Sequence, residues 1–250
     1  MLKQLVDTVF PKALHPATLA RRRVLRLSCG KVLAGPFAGM TLVKTPADAA
    51  EYAMLMGTYE MELRDVIERV IATPPDLIVD VGSAEGYYSV GMAMRCPIST
   101  RVIAFEKNDA ARERAMKLAT ANGVVNRIEH RGRCDHAALN EALNAGGRKL
   151  LLVDIGGAEQ ELLDPRAMPG LASCEIVAEV HSTRAPDVDQ LMESRFRPTH
   201  QLVKHHPDAR DEQDLPPQLA SGWNPWTASL MSEHKPGSSG WFHMVPRGVD

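Results

Sequence analysis

At 250 residues the chain is long enough for one full α/β domain with added elements, and its 44% hydrophobic and 24% charged residues exclude disordered and fibrous classes. A formal net charge of −2 lacks the footprint of a general nucleic-acid binder, and Cys29, Cys96, Cys134 and Cys174 include no C-x-x-C pair, which argues against a disulfide framework or a cysteine zinc site. No apolar run approaches the roughly 20 residues of a membrane span, and Lys3, Asp7 and Lys12 break the N-terminal apolar stretch, so the chain reads as reduced, soluble and cytoplasmic.

The first forty residues are basic. Arg21, Arg22, Arg23, Arg26 and Lys31 alternate with Val24, Leu25 and Leu27 at helical spacing, which predicts a helix with a solvated basic face rather than a docking surface. Thr45 as a cap, Pro46 at the first helical position and Asp48 in the first turn predict a helix through Met56. Thr58 then caps a second helix ending near Ala72. After Pro74-Pro75 the pattern changes to short β-rich runs alternating with helical segments. The strands fall at Leu77–Val81, Arg101–Phe105, Arg127–His130, Leu150–Val153 and Glu175–Val180. The helices between and after them are expected at Gly86–Arg95, Asp109–Asn122, Asp135–Asn144 and Pro186–Ser194. This order predicts a doubly wound, Rossmann-like α/β sheet with helices on both faces, whose ligands sit beyond the strand C-termini. His200–His205 and Trp241–Val245 are candidates for an antiparallel edge, and Pro207–Pro225 reads as a long loop. The expected organisation is a helical extension over residues 1–73 and the sheet domain over 74–250.

The first strand ends at Asp80, and a glycine turn, Gly82-Ser83-Ala84-Glu85-Gly86, opens a helix there. A dinucleotide fold wants G-x-G-x-x-G, and here the glycine spacing differs. Asp80 and Glu85 bracket the turn with negative charge that repels a pyrophosphate and favours a ligand with cationic groups. S-adenosylmethionine (SAM), with an ammonium, a sulfonium and a carboxylate, fits that turn. Glu106, at the end of the second strand, is placed to accept the two ribose hydroxyls. Cys134 and Asp135, after the third strand, fall where the adenine edge would lie, with N-capping of the next helix as the alternative role for Asp135.

These residues resemble the FkbM-like branch of class I SAM-dependent methyltransferases, a group associated with O-methylation of sugars and secondary metabolites. The resemblance is carried by Gly35–Met40, Gly57–Glu60, Asp80-Val81-Gly82 with Gly86-Tyr87-Tyr88-Ser89, Ala104-Phe105-Glu106, Val153–Glu159 and Glu179-Val180-His181. It implies SAM contacts from Thr58, Tyr59 and Glu60 as well as from Asp80, Gly82, Ser83, Gly86, Glu106, Cys134, Asp135 and Asp154. Two positions depart from the family pattern: Ala84 stands where Asn is usual, and Gly156 where Glu is usual. The second removes a carboxylate at the end of the fourth strand.

Methyl transfer is an in-line displacement, so the protein supplies alignment and, for a hydroxyl acceptor, a group to take the proton. Asp154, Glu179 and His181 sit at strand ends and are expected to converge. His181 is first choice as general base, with a carboxylate holding its tautomer; a divalent metal held by the same trio is second. The expected partner is a small-molecule acceptor, without a membrane span or nucleic acid, and a homo-oligomer is compatible with the sequence. The segment Asp154-Ile155-Gly156-Gly157 lacks the Asn-Pro-Pro-aromatic pattern of enzymes that methylate base amines. The competing readings are a SAM-binding regulatory module without catalysis, a methyltransferase acting on RNA or protein, and an NAD-dependent enzyme on the same sheet.

Overall fold

The computed structural model describes residues 14–44, 46–181, 186–232 and 240–248. The chain divides into two compact units: residues 1–61 with 208–234, and residues 62–207 with 235–250.

The first unit holds helices α1 (Pro16–Ser28) and α2 (Ala49–Met56). Asp48 caps α2 by accepting from Glu51 N, so the helix starts after Asp48 and not at Pro46; the expected cap Thr45 lies outside the described residues. Gly57 ends α2 in the left-handed region, and Glu60 also has positive φ (46°), so no helix runs on from Thr58. The stretch expected as a long loop is folded into this unit, with a capping box at Asp211 and a further short helix (Pro225–Leu230) capped by Asn224. Leu215, Leu219, Leu230 and Met231 form one cluster with Ala20, Val24, Tyr52, Leu55 and Met56, and Trp223 and Trp226 pack against it. Apolar side chains spaced among the prolines drive that packing. The basic segment joins in as well, because Arg23 donates to Ser221 Oγ at 3.0 Å and Arg21 stacks over the Tyr52 ring.

The second unit opens with α3 (Arg64–Ala72) and contains the whole sheet. Its elements run β1 (Leu77–Val81), α4 (Tyr87–Arg95), β2 (Arg101–Phe105), α5 (Asp109–Ala121), β3 (Ile128–Arg131), α6 (His136–Leu143), β4 (Lys149–Val153), α7 (Glu159–Leu162), β5 (Cys174–Val180), α8 (Val188–Phe196), β6 (His200–His205) and, after α9 (the short Pro225–Leu230 helix of the first unit), β7 (Gly240–Pro246). The compact units therefore part at residue 61, ahead of the expected boundary at 73, and the first recruits a later segment. The sheet order is β3-β2-β1-β4-β5-β7-β6. The first five strands are parallel; β7 inserts antiparallel between β5 and β6. This is a Rossmann-like, doubly wound sheet closed by an antiparallel hairpin-like edge.

Alternation along the strands explains the layers. Leu77, Val79 and Val81 join a cluster with Leu139 and Leu143 of α6, Leu162 of α7 and Met192 and Phe196 of α8. Ile78 and Ala104, equally buried, face the other side, where α4 lies against β2. Burial on both faces is why the parallel strands read as continuous apolar runs rather than as alternating ones. Each fully buried Leu, Ile or Val contributes roughly 1.5–3 kcal/mol. Among the described residues no helix is long and apolar enough to cross a membrane.

Candidate functional site

The turn after β1 is held by its neighbours' backbones. Gly82 N and Ser83 N both donate to Phe105 O, at 2.9 and 3.0 Å, and Gly86 N donates to Ser83 O at 2.8 Å. Gly82 (φ 87°) passes so close to β4 that a Cβ there would stand 1.8 Å from the Asp154 carbonyl oxygen. Gly86 (φ 90°) lets α5 approach, since a Cβ would meet that of Ala115 at 3.0 Å. Gly86 also precedes α4 without offering a capping side chain. Asp80, 5% exposed, and Ser83, 7% exposed, are buried at the same strand end.

Glu106 closes this turn from β2. Its Oε2 accepts from Ala84 N at 3.0 Å and its Oε1 from Asn108 N at 2.7 Å. Arg112 donates to the Glu106 carbonyl oxygen at 2.8 Å. Each carboxylate oxygen has a second lone pair, so a fixed Glu106 retains capacity for two hydroxyl donors. Glu85 is placed differently from the expectation that it and Asp80 jointly bracket the turn. It pairs with Arg114 at 2.7 Å, half-exposed, which offsets its charge. The acidic character of the turn therefore rests on Asp80 and Glu106.

At the third strand's end, Asp135 caps α6: its Oδ1 accepts from Ala138 N at 2.9 Å. Burial, reinforced by the Asp135 charge, pushes the Cys134 thiol up to about 12, so it is a neutral packing group at physiological pH. Thr58, Tyr59 and Glu60 belong to the first unit, where Thr58 Oγ1 donates to Met231 O at 3.2 Å.

The expected convergence at the ends of β4 and β5 is present. His181 Nε2 lies 3.7 Å from Glu179 Oε2 and 4.0 Å from Asp154 Oδ1. The structure adds a residue that was not among the candidates. Glu159, the first residue of α7, has a side chain only 1% exposed, and its Oε1 lies 3.2 Å from His181 Nδ1. That same oxygen accepts from Ile155 N at 3.2 Å and Gly157 N at 3.0 Å. The local sequence explains the fold-back: Gly156 (φ 66°) and Gly157 (φ 107°) turn the chain so that a first-turn carboxylate meets the amides just before it. The signal for it was an acid two residues beyond a Gly-Gly pair after a strand. Asp154, Glu159 and His181 can each present one ligand atom, all within 4.8 Å of one another.

Trp223 and Trp226 anchor the first unit's cluster, with Trp226 edge-on to the His15 ring at 5.0 Å. His205 ends β6, facing the His243 ring at 6.2 Å, while His243 Nε2 meets Glu175 Oε1 at 2.8 Å. His206 is exposed, and His234 lies outside the described residues.

No family model matches the chain, and no curated protein matches it. Among solved structures it is similar to an O-methyltransferase from Bacillus cereus in complex with S-adenosylhomocysteine (SAH), at 12% identity and TM-score 0.47, covering 98% of this chain and 96% of that one. It is similar to the O-methyltransferase TomG from Streptomyces achromogenes, involved in tomaymycin synthesis and solved with SAM, at 13% identity and TM-score 0.47, covering 98% and 95%. A third likeness is the C-terminal domain of precorrin-6Y C5,15-methyltransferase from Rhodobacter capsulatus, at 18% identity and TM-score 0.46, covering 71% and 85%.

Proposed function

We propose that this chain is a SAM-dependent methyltransferase that methylates a hydroxyl of a small molecule or sugar. The observation that carries the reading is the pairing of the Asp80–Gly86 turn with Glu106. A buried acid, a glycine turn and a backbone-fixed carboxylate meet at adjacent ends of β1 and β2, where a doubly wound sheet binds its ligand. Glu106 would hold the ribose hydroxyls. Asp80 would face the ammonium, and the α4 N-terminus the carboxylate. Asp135 and Cys134 would border the adenine. The narrower FkbM-like assignment is supported by the motifs from Gly35 to His181.

SAM supplies an activated methyl group. The chain's own residues at the β4 and β5 ends would position the acceptor and take its proton: as the acceptor oxygen bonds to the methyl carbon and the carbon–sulfur bond breaks, the hydroxyl proton would pass to the Asp154, Glu179 and His181 group. The transferred label is expected to be base-stable, because an O-methyl ether survives mild base that hydrolyses a methyl ester. Incubation with methyl-labelled SAM and a panel of sugars, phenols and hydroxylated small molecules tests the reading. Base-stable label on at least one class supports it; SAM binding without transfer to any class turns the chain into a regulatory module.

A further inference from the structure

We infer that Asp154, Glu159 and His181 form a binding site for one divalent cation, a reading that deepens the proposed O-methylation and rests on it for its catalytic meaning. The three residues converge within 4.8 Å from two strand ends and a helix start. Convergence alone is common among acidic groups; two atoms make this one different. Glu159 Oε2 and His181 Nδ1 are both buried and neither has a hydrogen-bond partner. Glu159 is fully buried, at 0% exposure. A buried carboxylate oxygen left in this way loses its hydration without a replacement and requires an explanation.

A simple ion pair does not remove the cost. Nδ1 stands 3.2 Å from Glu159 Oε1, yet it makes no hydrogen bond there, and Oε1 already accepts two backbone amides. The carboxylates of Asp154, Glu159 and Glu179 around one imidazole leave an excess of negative charge. A divalent cation answers both features, and two carboxylates with an imidazole are donors suited to Mn²⁺, Mg²⁺ or Zn²⁺. In the site inferred, Glu159 takes the place of Glu179 in the ligand set expected from sequence. It also recasts His181 as a ligand instead of a free base.

The chemistry then divides among the residues. With three protein ligands, such a cation keeps open positions for the acceptor oxygen and water, and lowers the pKa of the bound hydroxyl. Glu179, outside the ligand set and 3.7 Å from His181, receives the proton as the oxygen–carbon bond forms and the carbon–sulfur bond breaks.

The test needs neither SAM nor acceptor. The untagged full chain is stripped with chelator, returned to metal-free buffer and titrated with Mn²⁺ alone, with free Mn²⁺ followed by electron paramagnetic resonance. Saturation at one Mn²⁺ per chain is expected, with affinity about tenfold or more weaker in Asp154→Asn, Glu159→Gln and His181→Ala and about unchanged in Glu179→Gln. Glu159 is buried, so its variant is compared by circular dichroism; His181→Ala, at the rim, carries the test if Glu159→Gln does not fold. No saturable binding in the wild type, or wild-type affinity in both Asp154→Asn and His181→Ala, overturns the site. Mn²⁺ binding without methyl transfer would defeat the functional reading and leave the site standing. Transfer with no Mn²⁺ binding would do the reverse.

Discussion

The two ends of the candidate site differ in how they use their own hydrogen-bonding groups. Around the β1 turn, Glu106 is tied through both oxygens to backbone amides, and Gly82 and Ser83 share one carbonyl of β2. At the β4 and β5 ends, Glu159 is anchored through one oxygen only, and its other oxygen and His181 Nδ1 are left buried without hydrogen bonds. On the proposed function, the first region is the one the fold holds ready for a ligand's hydroxyls and amine. The second is where the proposed cation would supply the missing partners. On the proposed roles, a cofactor pocket built on backbone and a reaction pocket built on charge fail in different ways when altered.

Gly82→Ala should be the most damaging change to the first region. A Cβ 1.8 Å from a backbone oxygen, at φ 87°, forces β1 and β4 apart. We expect a loss of about 3 kcal/mol or more in stability together with SAM binding, read by denaturant unfolding and calorimetry; a wild-type unfolding midpoint would contradict the packing described. In the second region, His181→Ala should lower turnover roughly a hundredfold while SAM affinity stays within about threefold. Equal losses in both quantities would mean that the two regions are one. Glu106→Gln sharpens the contrast from the other side: SAM affinity should fall about tenfold, and saturating SAM should restore most of the turnover. Asp135→Ala removes the cap on Ala138 N and should cost about 1 kcal/mol of stability, measured by thermal melting.

The smallest effect expected is that of mild acid on the sheet. Burial holds the His130, His200 and His205 imidazoles below the usual histidine range of 6.5. The unfolded chain therefore takes up protons near pH 6.5 before the folded chain does, and stability should fall as the pH drops through that region. A melting temperature that stays flat from neutral pH to mild acid would show that these histidines are not coupled to folding.

Much of this was legible in the sequence because it was local. Buried runs such as Leu77–Val81 and Lys149–Val153 announce parallel strands, and Asp80, Glu106, Asp154, Glu179 and His181 all fall at strand ends where pattern alone puts them. The insertion of β7 between β5 and β6 was not legible, since strand order depends on long-range packing that periodicity does not encode. Glu159 is not legible for a related reason. Its role depends on two consecutive positive-φ glycines folding a helix start back on the strand end, and Gly156 alone looked like the loss of a carboxylate. Prolines and glycines in 207–225 imitate a loop, while Leu215, Leu219, Trp223 and Trp226 bury it. Glu85, acidic and beside the turn in sequence, is drawn away by Arg114.

The ligand of the Asp80–Gly86 turn and Glu106 decides the function. Isothermal titration of the full chain with SAM, SAH and NAD in parallel is the most direct measurement of it. Saturable binding of SAM and SAH at one per chain, weakened in Glu106→Gln and absent for NAD, is the result predicted; tight NAD binding with no response to SAM or SAH would contradict it.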